Sequence, residues 1–334
     1  MEPSATGAAS AAASPVGTRV STVVVSYNGG QMLLDCVRSL LEAGADSGDL
    51  LVFDNASIDG TVQRVRNTFP GVRVIASDVN LGYGEACNRA ARMCEAEFLA
   101  VINQDAIAGP GWSEALIAAL EADPRAALAT PKVLIKGDPG RVNACGNSPH
   151  FTGITPCRGF GQLSEAFQEI EEVAAISGAA FVARRSTFLE LGGFDASFFL
   201  YFEDTDLSLR VQLAGYRCLH VPAAMVLHDF QPRFAAAKLL LLERNRQTAW
   251  LRIFHWRTLA LLAPAMLLTE LIVYGYALLR GPDCFAAKAR ATLAVLRDWR
   301  GILRSRETIQ ATRALPDAAL LAKCSAALDI GEMG

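Results

Sequence analysis

The fold is set by the stretch Val20-Ser21-Thr22-Val23-Val24-Val25-Ser26-Tyr27-Asn28, in which a β-branched apolar run ends in polar side chains. Similar runs follow it at intervals, and the segments between them have the apolar spacing of helices. The predicted strands are residues 20–27, 50–54, 72–76, 98–103 and 127–135, and the predicted helices are residues 32–41, 61–69, 84–94 and 112–121. This rhythm indicates right-handed βαβ units. The sequence therefore predicts an α/β fold with a mainly parallel central sheet flanked by helices.

Polar clusters follow three of these strands. They are Ser26-Tyr27-Asn28, Asp54-Asn55 and Asn103-Gln104-Asp105. Ligands of parallel sheets bind beyond the carboxyl ends of the strands, so the three clusters predict one shared site. The segment from Asp54 to Gly60 alone is more typical of a turn with a helix cap. The run Asn80-Leu81-Gly82-Tyr83-Gly84 departs from the GxGxxG order, which argues against a Rossmann dehydrogenase.

A second acidic group lies in the later half of the chain. Residues 137–172 are rich in glycine and proline and then acidic, which predicts an irregular insertion or hairpin over the site. Ordered structure is expected again over residues 173–184, followed by a short helix at 186–191 and a helix at 205–213. The run Tyr201-Phe202-Glu203-Asp204-Thr205-Asp206 then places carboxylates at a helix start, where they complement the helix dipole. Tyr201 and Phe202 are expected to pack.

These residue types suit a nucleotide-sugar transferase. Asp54 can accept hydrogen bonds from a base, and Asp105 can bind Mg²⁺ or Mn²⁺, which neutralises a departing diphosphate. His228 is a second candidate ligand, although a lone histidine is more often a hydrogen-bonded core residue. Asn103 is a neutral amide where a second carboxylate would strengthen the metal site.

Transfer to a hydroxyl also needs one base to remove its proton, and a carboxylate near the metal suffices. Asp204 is the first candidate and Glu203 the second, because adjacent side chains at a helix start point in different directions. Asp206 is expected to be a capping or structural carboxylate.

The composition limits the class of protein. Among 334 residues, 51% are hydrophobic, and the net charge of −3 gives no general attraction to nucleic acid. Eight cysteines without a CxxC pair argue against a zinc site and favour reduced thiols in the cytosol. Residues 1–17 lack the basic start and leucine-rich core of a signal peptide, so they are interpreted as a disordered tail.

The region from 233 onwards changes character. An apolar stretch at residues 259–279 approaches the ~20 residues that span a bilayer, and Pro264 and Glu270 are expected to interrupt it. The flanking basic residues are Arg233, Lys238, Arg244, Arg246, Arg252 and Arg257 before it, and Lys288, Arg290, Arg297, Arg300, Arg304 and Arg306 after it. A single span cannot keep both flanks on the cytosolic side, so we expect an interfacial or re-entrant segment, peripheral at the inner face of the membrane. A buried helical hairpin or a homo-oligomer interface is the alternative.

The motifs in this order resemble the family 2 glycosyltransferases of the GT-A fold, and in particular their rhamnosyltransferase-like branch. The resemblance covers residues 19–230 and rests on Val23-Val24-Val25-Ser26-Tyr27-Asn28, Asp54-Asn55-Ala56-Ser57-Ile58-Asp59-Gly60-Thr61, Asn80-Leu81-Gly82-Tyr83-Gly84, Asn103-Gln104-Asp105, Gly192-Gly193-Phe194-Asp195 and Tyr201-Phe202-Glu203-Asp204. Residues 243–246 and the basic C-terminal helices resemble the tail of that branch.

The resemblance implies an inverting transfer from a nucleotide sugar. It places Asp54 at the base of the nucleotide and Asp105 and His228 at the metal. It also implies that Asp204 is the general base that removes the acceptor proton. The nucleotide-binding residues are then expected to be Ser26, Tyr27, Asn28, Asp54, Asn55, Asn80, Gly82, Asn103 and Gln104. Three regions are predicted: the tail at 1–17, a catalytic domain at 18–232, and a helical region for membrane association or oligomerisation at 233–334.

The preferred donor is dTDP-rhamnose, with UDP- or GDP-linked sugars as alternatives, and the expected acceptor is a polyprenyl-linked or surface glycan. A nucleotidyltransferase would share the acidic metal site, but its basic glycine-rich loop is missing from residues 28–31, which contain no lysine or arginine. A noncatalytic carbohydrate-binding protein would have no need of Asp204, Asp105 and His228 together.

Overall fold

The computed structural model describes residues 19–229 and 235–327. The predicted tail at 1–17 and the predicted boundary at 232 lie outside these ranges. The strands are β1 (Val20–Ser26), β2 (Leu50–Asp54), β3 (Arg73–Ala76), β4 (Phe98–Asn103), β5 (Ala106–Ala108), β6 (Ala126–Ile135), β7 (Asp138–Ala144), β8 (Glu171–Glu172), β9 (Ala180–Arg184) and β10 (Arg217–His228). The helices are α1 (Gly30–Glu42), α2 (Thr61–Thr68), α3 (Tyr83–Arg92), α4 (Trp112–Ala122), α5 (Arg185–Glu190), α6 (Glu203–Leu213), α7 (Ala236–Ile253), α8 (Trp256–Leu279), α9 (Pro282–Arg297), α10 (Trp299–Ala311) and α11 (Asp317–Leu321).

These strands form a sheet in the order β3-β2-β1-β4-β9-β6-β10-β5, with β7 beside β6 and β8 beside β10. The half that runs from β3 to β4 is parallel. Beyond β4 the sheet is mixed, because β9 lies antiparallel between β4 and β6 while β10 runs parallel to β6. The predicted α/β class is confirmed, and the parallel part is the half built from βαβ units.

The central strands are largely apolar because both faces of the sheet are covered. Val24 points to one side, where it joins a core with Leu33 of α1 and Leu116 of α4. Its neighbours point to the other face, where Val23 joins a core with Leu207 of α6. Successive side chains of a strand alternate between faces, which explains why Val23, Val24 and Val25 are all apolar, and the earlier Ser21 and Thr22 are buried as well.

The segment predicted as an insertion or hairpin begins as a hairpin. β7 runs antiparallel to β6, with Val133 opposite Ala144. This pairing carries Asn143 and Asn147 toward the same end of the sheet as the later part of β10.

The C-terminal helices pack directly against α6 and the turn before it. Trp250 and Phe254 of α7 share a buried apolar cluster with Phe198, Phe202 and residues of α6. Phe202 and Trp250 meet edge to face, with ring centroids 6.1 Å apart.

Pro264 and Glu270 interrupt the apolar composition of this stretch but not its helix. α8 is continuous from Trp256 to Leu279 with Pro264 inside it. Pro264 lies on the exposed side, and Glu270 turns inward to pair with Arg246 and Lys288. By length and composition, α8 is the one helix in the described ranges that could cross a membrane, with a mean hydropathy of 1.7.

The flanking basic residues fall into a buried and an exposed group. Arg246, Arg252 and Lys288 are buried in ion pairs, and Arg306 donates to backbone carbonyls. Those that stay exposed are Arg257, Arg290, Arg297, Arg300 and Arg304. Arg233 lies outside the described residues.

Candidate functional site

The carboxyl ends of β1, β2 and β4 meet, as predicted. Ser26 lies opposite Asp54, and Val25 lies opposite Asn103. Just beyond the strands, the Gln104 side chain accepts from the Tyr27 N–H at 3.0 Å and donates to the Tyr27 carbonyl at 3.2 Å. Gln104 therefore joins the ends of β1 and β4, while the Tyr27 ring stays half exposed at 47%.

Asp54 is buried with one carboxylate oxygen unused. Its Oδ2 accepts from the Ser57 N–H at 3.1 Å, and its Oδ1 has no hydrogen-bond partner in the described structure. The hydroxyl of Ser26 is likewise buried and unpartnered. A buried polar atom without a partner is unfavourable, so Oδ1 of Asp54 is poised to accept a ligand N–H.

Asn28 ties the end of β1 to the loop after β2. Its backbone N–H donates to the Ser57 hydroxyl at 2.7 Å, and its side-chain oxygen accepts from the Ile58 N–H at 2.9 Å. Its φ of 48° is in the left-handed region that asparagine tolerates. Asn28 thus shapes the floor of the site.

The side-chain amides of Asn55 and Asn80 make hydrogen bonds within the protein. Asn55 donates to the Asn80 oxygen at 3.0 Å and to the Gly82 carbonyl at 3.1 Å, and it accepts from the Leu81 N–H at 2.8 Å. Gly82 has a φ of 79°, and a Cβ there would lie 2.4 Å from the Phe199 carbonyl oxygen. These residues therefore fix the loop after β3, and Gly82 allows it to touch the turn before α6.

Asp105 and His228 are 123 positions apart in sequence and adjacent in space. The Nε2 atom of His228 lies 3.2 Å from Oδ1 of Asp105, because β10 ends beside β5. Two neighbouring ligands of an octahedral ion, each at about 2.1 Å, are about 3 Å apart. An imidazole nitrogen and a carboxylate oxygen at this spacing fit a divalent ion as one pair of ligands. The described residues contain no group of three or more His, Cys, Asp or Glu side chains that could hold a metal, so further ligands would come from a substrate or water.

Asn143 was missed from the sequence. Its Oδ1 lies 3.0 Å from Nδ1 of His228. This oxygen can accept from Nδ1–H, which would leave the lone pair of Nε2 for a metal ion shared with Asp105. Partners of this kind orient metal-binding histidines. No local signal marks Asn143, because its partner lies 85 positions away.

Glu203 and Asp204 have different surroundings at the start of α6. Oδ2 of Asp204 accepts from the Gly178 N–H at 2.8 Å and from Asn147 Nδ2 at 2.9 Å, and Oδ1 accepts from the Thr205 N–H at 2.7 Å. Burial raises the pKa of Asp204, and these hydrogen bonds oppose that effect. Glu203 has an unpartnered buried Oε2. Burial and the neighbouring Asp204 carboxyl raise the pKa of Glu203 to about 8.

Asp204 also connects to the polar residues at the ends of β1, β2 and β4, here named the strand-end cluster. Gly178, which donates to it, precedes Ala179, whose carbonyl accepts from the Asn103 N–H at 2.9 Å. The half-buried Asn103 side chain is two positions from Asp105. The structure thus brings the early and late acidic groups to one end of the sheet.

The turn before the acidic pair has an uncommon backbone. Phe199, Tyr201 and Phe202 have φ values of 63°, 70° and 73°. Aromatic residues rarely adopt such angles, and each costs on the order of 1–3 kcal/mol. Phe199 has a ψ of −57°, and Leu200 N–H donates back to the Phe198 carbonyl at 2.7 Å, which makes a three-residue turn.

Asp206 has a structural environment. Its carboxylate is fully buried, with Oδ2 2.8 Å from Arg210 Nε and Oδ1 2.8 Å from Arg252 Nη2. This pairing ties α6 to α7 and leaves neither carboxylate oxygen facing the site.

Known proteins are similar to this chain in sequence. The family model described as Glycosyl transferase family 2 matches residues 21–188. The chain is 33% identical over 235 residues to an N-acetylglucosaminyl-diphospho-decaprenol L-rhamnosyltransferase of Mycobacterium tuberculosis, a match that covers 62% of this chain and 74% of that protein.

Solved structures share the fold. GalNAc-T7 with UDP, GalNAc and Mn²⁺ superposes with a TM-score of 0.57 at 16% identity, over 71% of this chain and 48% of that one, so the match spans about half of GalNAc-T7. The mannosyltransferase PcManGT from Pyrobaculum calidifontis, with GDP-Man and Mn²⁺, gives a TM-score of 0.52 at 18% identity, over 89% of this chain and 87% of that one. The predicted GT-A architecture with a C-terminal helical region is confirmed.

Proposed function

The chain belongs to glycosyl transferase family 2, and from that premise we propose that this glycosyltransferase moves L-rhamnose from dTDP-rhamnose, with inversion, to a polyprenyl-diphosphate-linked acceptor. The donor and acceptor are suggested by the 33% identity to the mycobacterial L-rhamnosyltransferase, whose name specifies a decaprenol-linked diphosphate. The observation that carries the proposal is the geometry of Asp204, a carboxylate oriented by three N–H donors at the sheet end where the strand-end cluster lies.

The nucleotide base would bind at Asp54. Its unpartnered Oδ1 suits an imide N–H, which thymine and uracil both offer. The buried Ser26 hydroxyl beside the Gly29 backbone offers a second contact. Asn28, Asn55, Asn80 and Gly82 would act by shaping the loops around the nucleotide.

Asp105 and His228 would hold Mg²⁺ or Mn²⁺ through Oδ1 and Nε2. The ion, when bound, supplies positive charge against the diphosphate. Asn103 contributes no negative charge, so metal binding would depend more on His228 than it would if residue 103 were a carboxylate.

Asp204 would remove the proton from the acceptor hydroxyl as that oxygen attacks the anomeric carbon and the bond to the diphosphate breaks. The proton goes to the Asp204 carboxylate, and the electron pair of the broken bond leaves with the diphosphate. Glu203 is less suited to this role near pH 7, because its pKa of about 8 keeps it protonated.

We further propose that α8 lies on the membrane surface that carries the acceptor. Its outward stripe consists of large apolar side chains, among them Leu261, Leu267, Leu268, Leu271, Ile272 and Leu279, which are 54–88% exposed. Trp256 at the start of α8 meets Trp299 of α10 at 5.8 Å. The exposed Arg257 and Arg300 adjoin these two rings in sequence. Half-exposed tryptophans beside arginines suit a headgroup boundary.

A panel of nucleotide sugars tests the donor assignment. Full-length protein with Mn²⁺ is incubated with dTDP-rhamnose, UDP-GlcNAc, UDP-glucose and GDP-mannose, and both thermal stabilisation and release of nucleoside diphosphate are measured, with and without a short polyprenyl-diphosphate-GlcNAc acceptor. We expect acceptor-dependent release from dTDP-rhamnose alone. Preferential release from a UDP- or GDP-sugar would overturn the donor assignment.

A further inference from the structure

One buried side chain of α7 reaches the turn that precedes the acidic pair. Asn245 is fully buried. Its Nδ2 atom lies near three backbone carbonyl oxygens, those of Phe198 at 3.1 Å, Leu200 at 3.0 Å and Tyr201 at 2.7 Å. An amide nitrogen carries two protons, so the three oxygens share them. A single residue thus gathers three of the five carbonyls of the turn from Phe198 to Phe202, here named the 198–202 turn.

Arg244 reinforces this contact. Its Nη2 donates to the Ser197 carbonyl at 2.9 Å and to the Phe198 carbonyl at 2.8 Å. Its Nε donates to the Asn245 oxygen at 2.9 Å, which fixes which end of the amide faces the turn. Asn245 therefore has no freedom to rotate away.

The 198–202 turn needs such support. Positive φ values at bulky residues persist only where the surroundings determine them, and three of its five residues have them. The carbonyls of Phe198, Leu200 and Tyr201 point onto Asn245 in this conformation. Without the amide, the carbonyls of Leu200 and Tyr201 would lose this donor, which favours a different backbone.

Two parts of the site, the acidic pair and the loop after β3, are attached to this turn. At one end it leads directly into Glu203 and Asp204. At its middle, the Phe199 carbonyl accepts from the Tyr83 N–H at 2.7 Å and lies against Gly82 of the loop after β3. A shift of the turn would therefore move Asp204 relative to the loop after β3, here named the nucleotide loop.

We propose that Asn245 is a positioning residue, which holds the 198–202 turn so that Asp204 and the nucleotide loop keep their relative places. This inference rests on the proposed role of Asp204. It makes α7 part of the catalytic unit, so a chain that ends near residue 232 would lose the support even if the sheet folded.

The test compares Asn245→Ala with Leu239→Ala in the full chain. Leu239 is also buried on α7, but it packs against Ala277 and Cys284. We expect Asn245→Ala to lower kcat by about 10²-fold, since a misplacement of ~1 Å can cost that much, with little change in KM for the donor. We expect Leu239→Ala to lose thermal stability while keeping kcat. Arg244→Ala, at a half-buried position, should lower kcat less and in the same direction, and serves if Asn245→Ala does not fold.

Hydrogen exchange gives a readout that needs no turnover. Amides of residues 198–206 should exchange faster in Asn245→Ala and Arg244→Ala than in Leu239→Ala, while titrated Mn²⁺ and dTDP still bind. Phe199→Gly removes the penalty of positive φ, so adding it to Asn245→Ala should restore part of kcat. Equal exchange and equal kcat in the Asn245 and Leu239 variants would overturn the proposal. Inactivity of the unmodified chain on every donor would instead count against the proposed function, and the exchange experiment would still decide the role of Asn245.

Discussion

Asn147 donates from Nδ2 to Oδ2 of Asp204 at 2.9 Å, which links the segment after β7 to the start of α6. A hydrogen bond to the charged form of a carboxyl lowers its pKa. In Asn147→Ala we therefore expect the pKa of Asp204 to rise, so that the acid limb of the profile of kcat against pH moves to higher pH. A kcat that falls equally at every pH would show that Asn147 acts on structure alone.

Asp204→Asn should abolish transfer and leave donor binding nearly unchanged. The amide keeps the shape of the carboxyl and cannot take up the acceptor proton, and loss of a general base typically lowers the rate by ~10² to 10⁴-fold. Single-turnover transfer and titration with dTDP measure the two effects separately. Turnover close to that of the unmodified enzyme would move the base to Glu203.

Glu203→Gln should keep most activity at pH 7 and gain stability at pH 8. The folded-state pKa of about 8 lies above the ordinary value of 4.5. The protein therefore binds a proton more tightly when folded, and this stability is present below pH 4.5 and lost as pH rises through about 8. Thermal unfolding from pH 5 to 8.5 should show a smaller fall in Tm for Glu203→Gln than for the unmodified chain. Parallel curves would mean that Glu203 is ionised in the fold.

The parallel half of the sheet could be predicted because its signals are local. The run that ends at Ser26 is buried on both faces, and the helix after it has apolar spacing along the chain. The antiparallel β9 between β4 and β6 had no such signal, because strand order in a mixed sheet depends on pairing between distant segments.

Candidate site residues can be recognised in the sequence where polar residues end strands, but not where their partner is distant along the chain. Asp105 and His228 are conspicuous by type, whereas Asn143 is recognisable only through its contact with His228. The same limit applies to charge. Lys288 counted as a basic flank in sequence, yet it pairs with Glu243, 45 positions earlier, and is fully buried.

Asp105→Ala and His228→Ala should both weaken Mn²⁺-dependent binding of dTDP. Each removes one of the two proposed ligands, and we expect the affinity for Mn²⁺ to fall at least as far as the 10- to 100-fold typical of changes to supporting residues. Higher Mn²⁺ should partly restore binding. Asp229→Ala is the control, since this neighbour pairs with Lys136. Unchanged metal dependence in His228→Ala would make His228 a core residue.

The outward stripe of α8 should bind anionic liposomes reversibly. Leu267→Ser/Leu271→Ser removes two side chains that are 65% and 69% exposed, and should abolish most binding, whereas Leu163→Ser, 59% exposed and distant in sequence, should not.

Arg297→Gln/Arg300→Gln should weaken liposome binding about 30-fold, because each basic residue near an anionic surface contributes about 1 kcal/mol. Arg38→Gln is its control. Added salt should weaken binding, since charges are screened beyond roughly 8 Å at physiological ionic strength.

Two outcomes would contradict surface binding by α8. A dimer that dissociates in Leu267→Ser/Leu271→Ser, without any liposome binding, would assign the stripe to an interface between copies. Protease protection of residues after Gly281 in sealed inside-out vesicles would indicate a span.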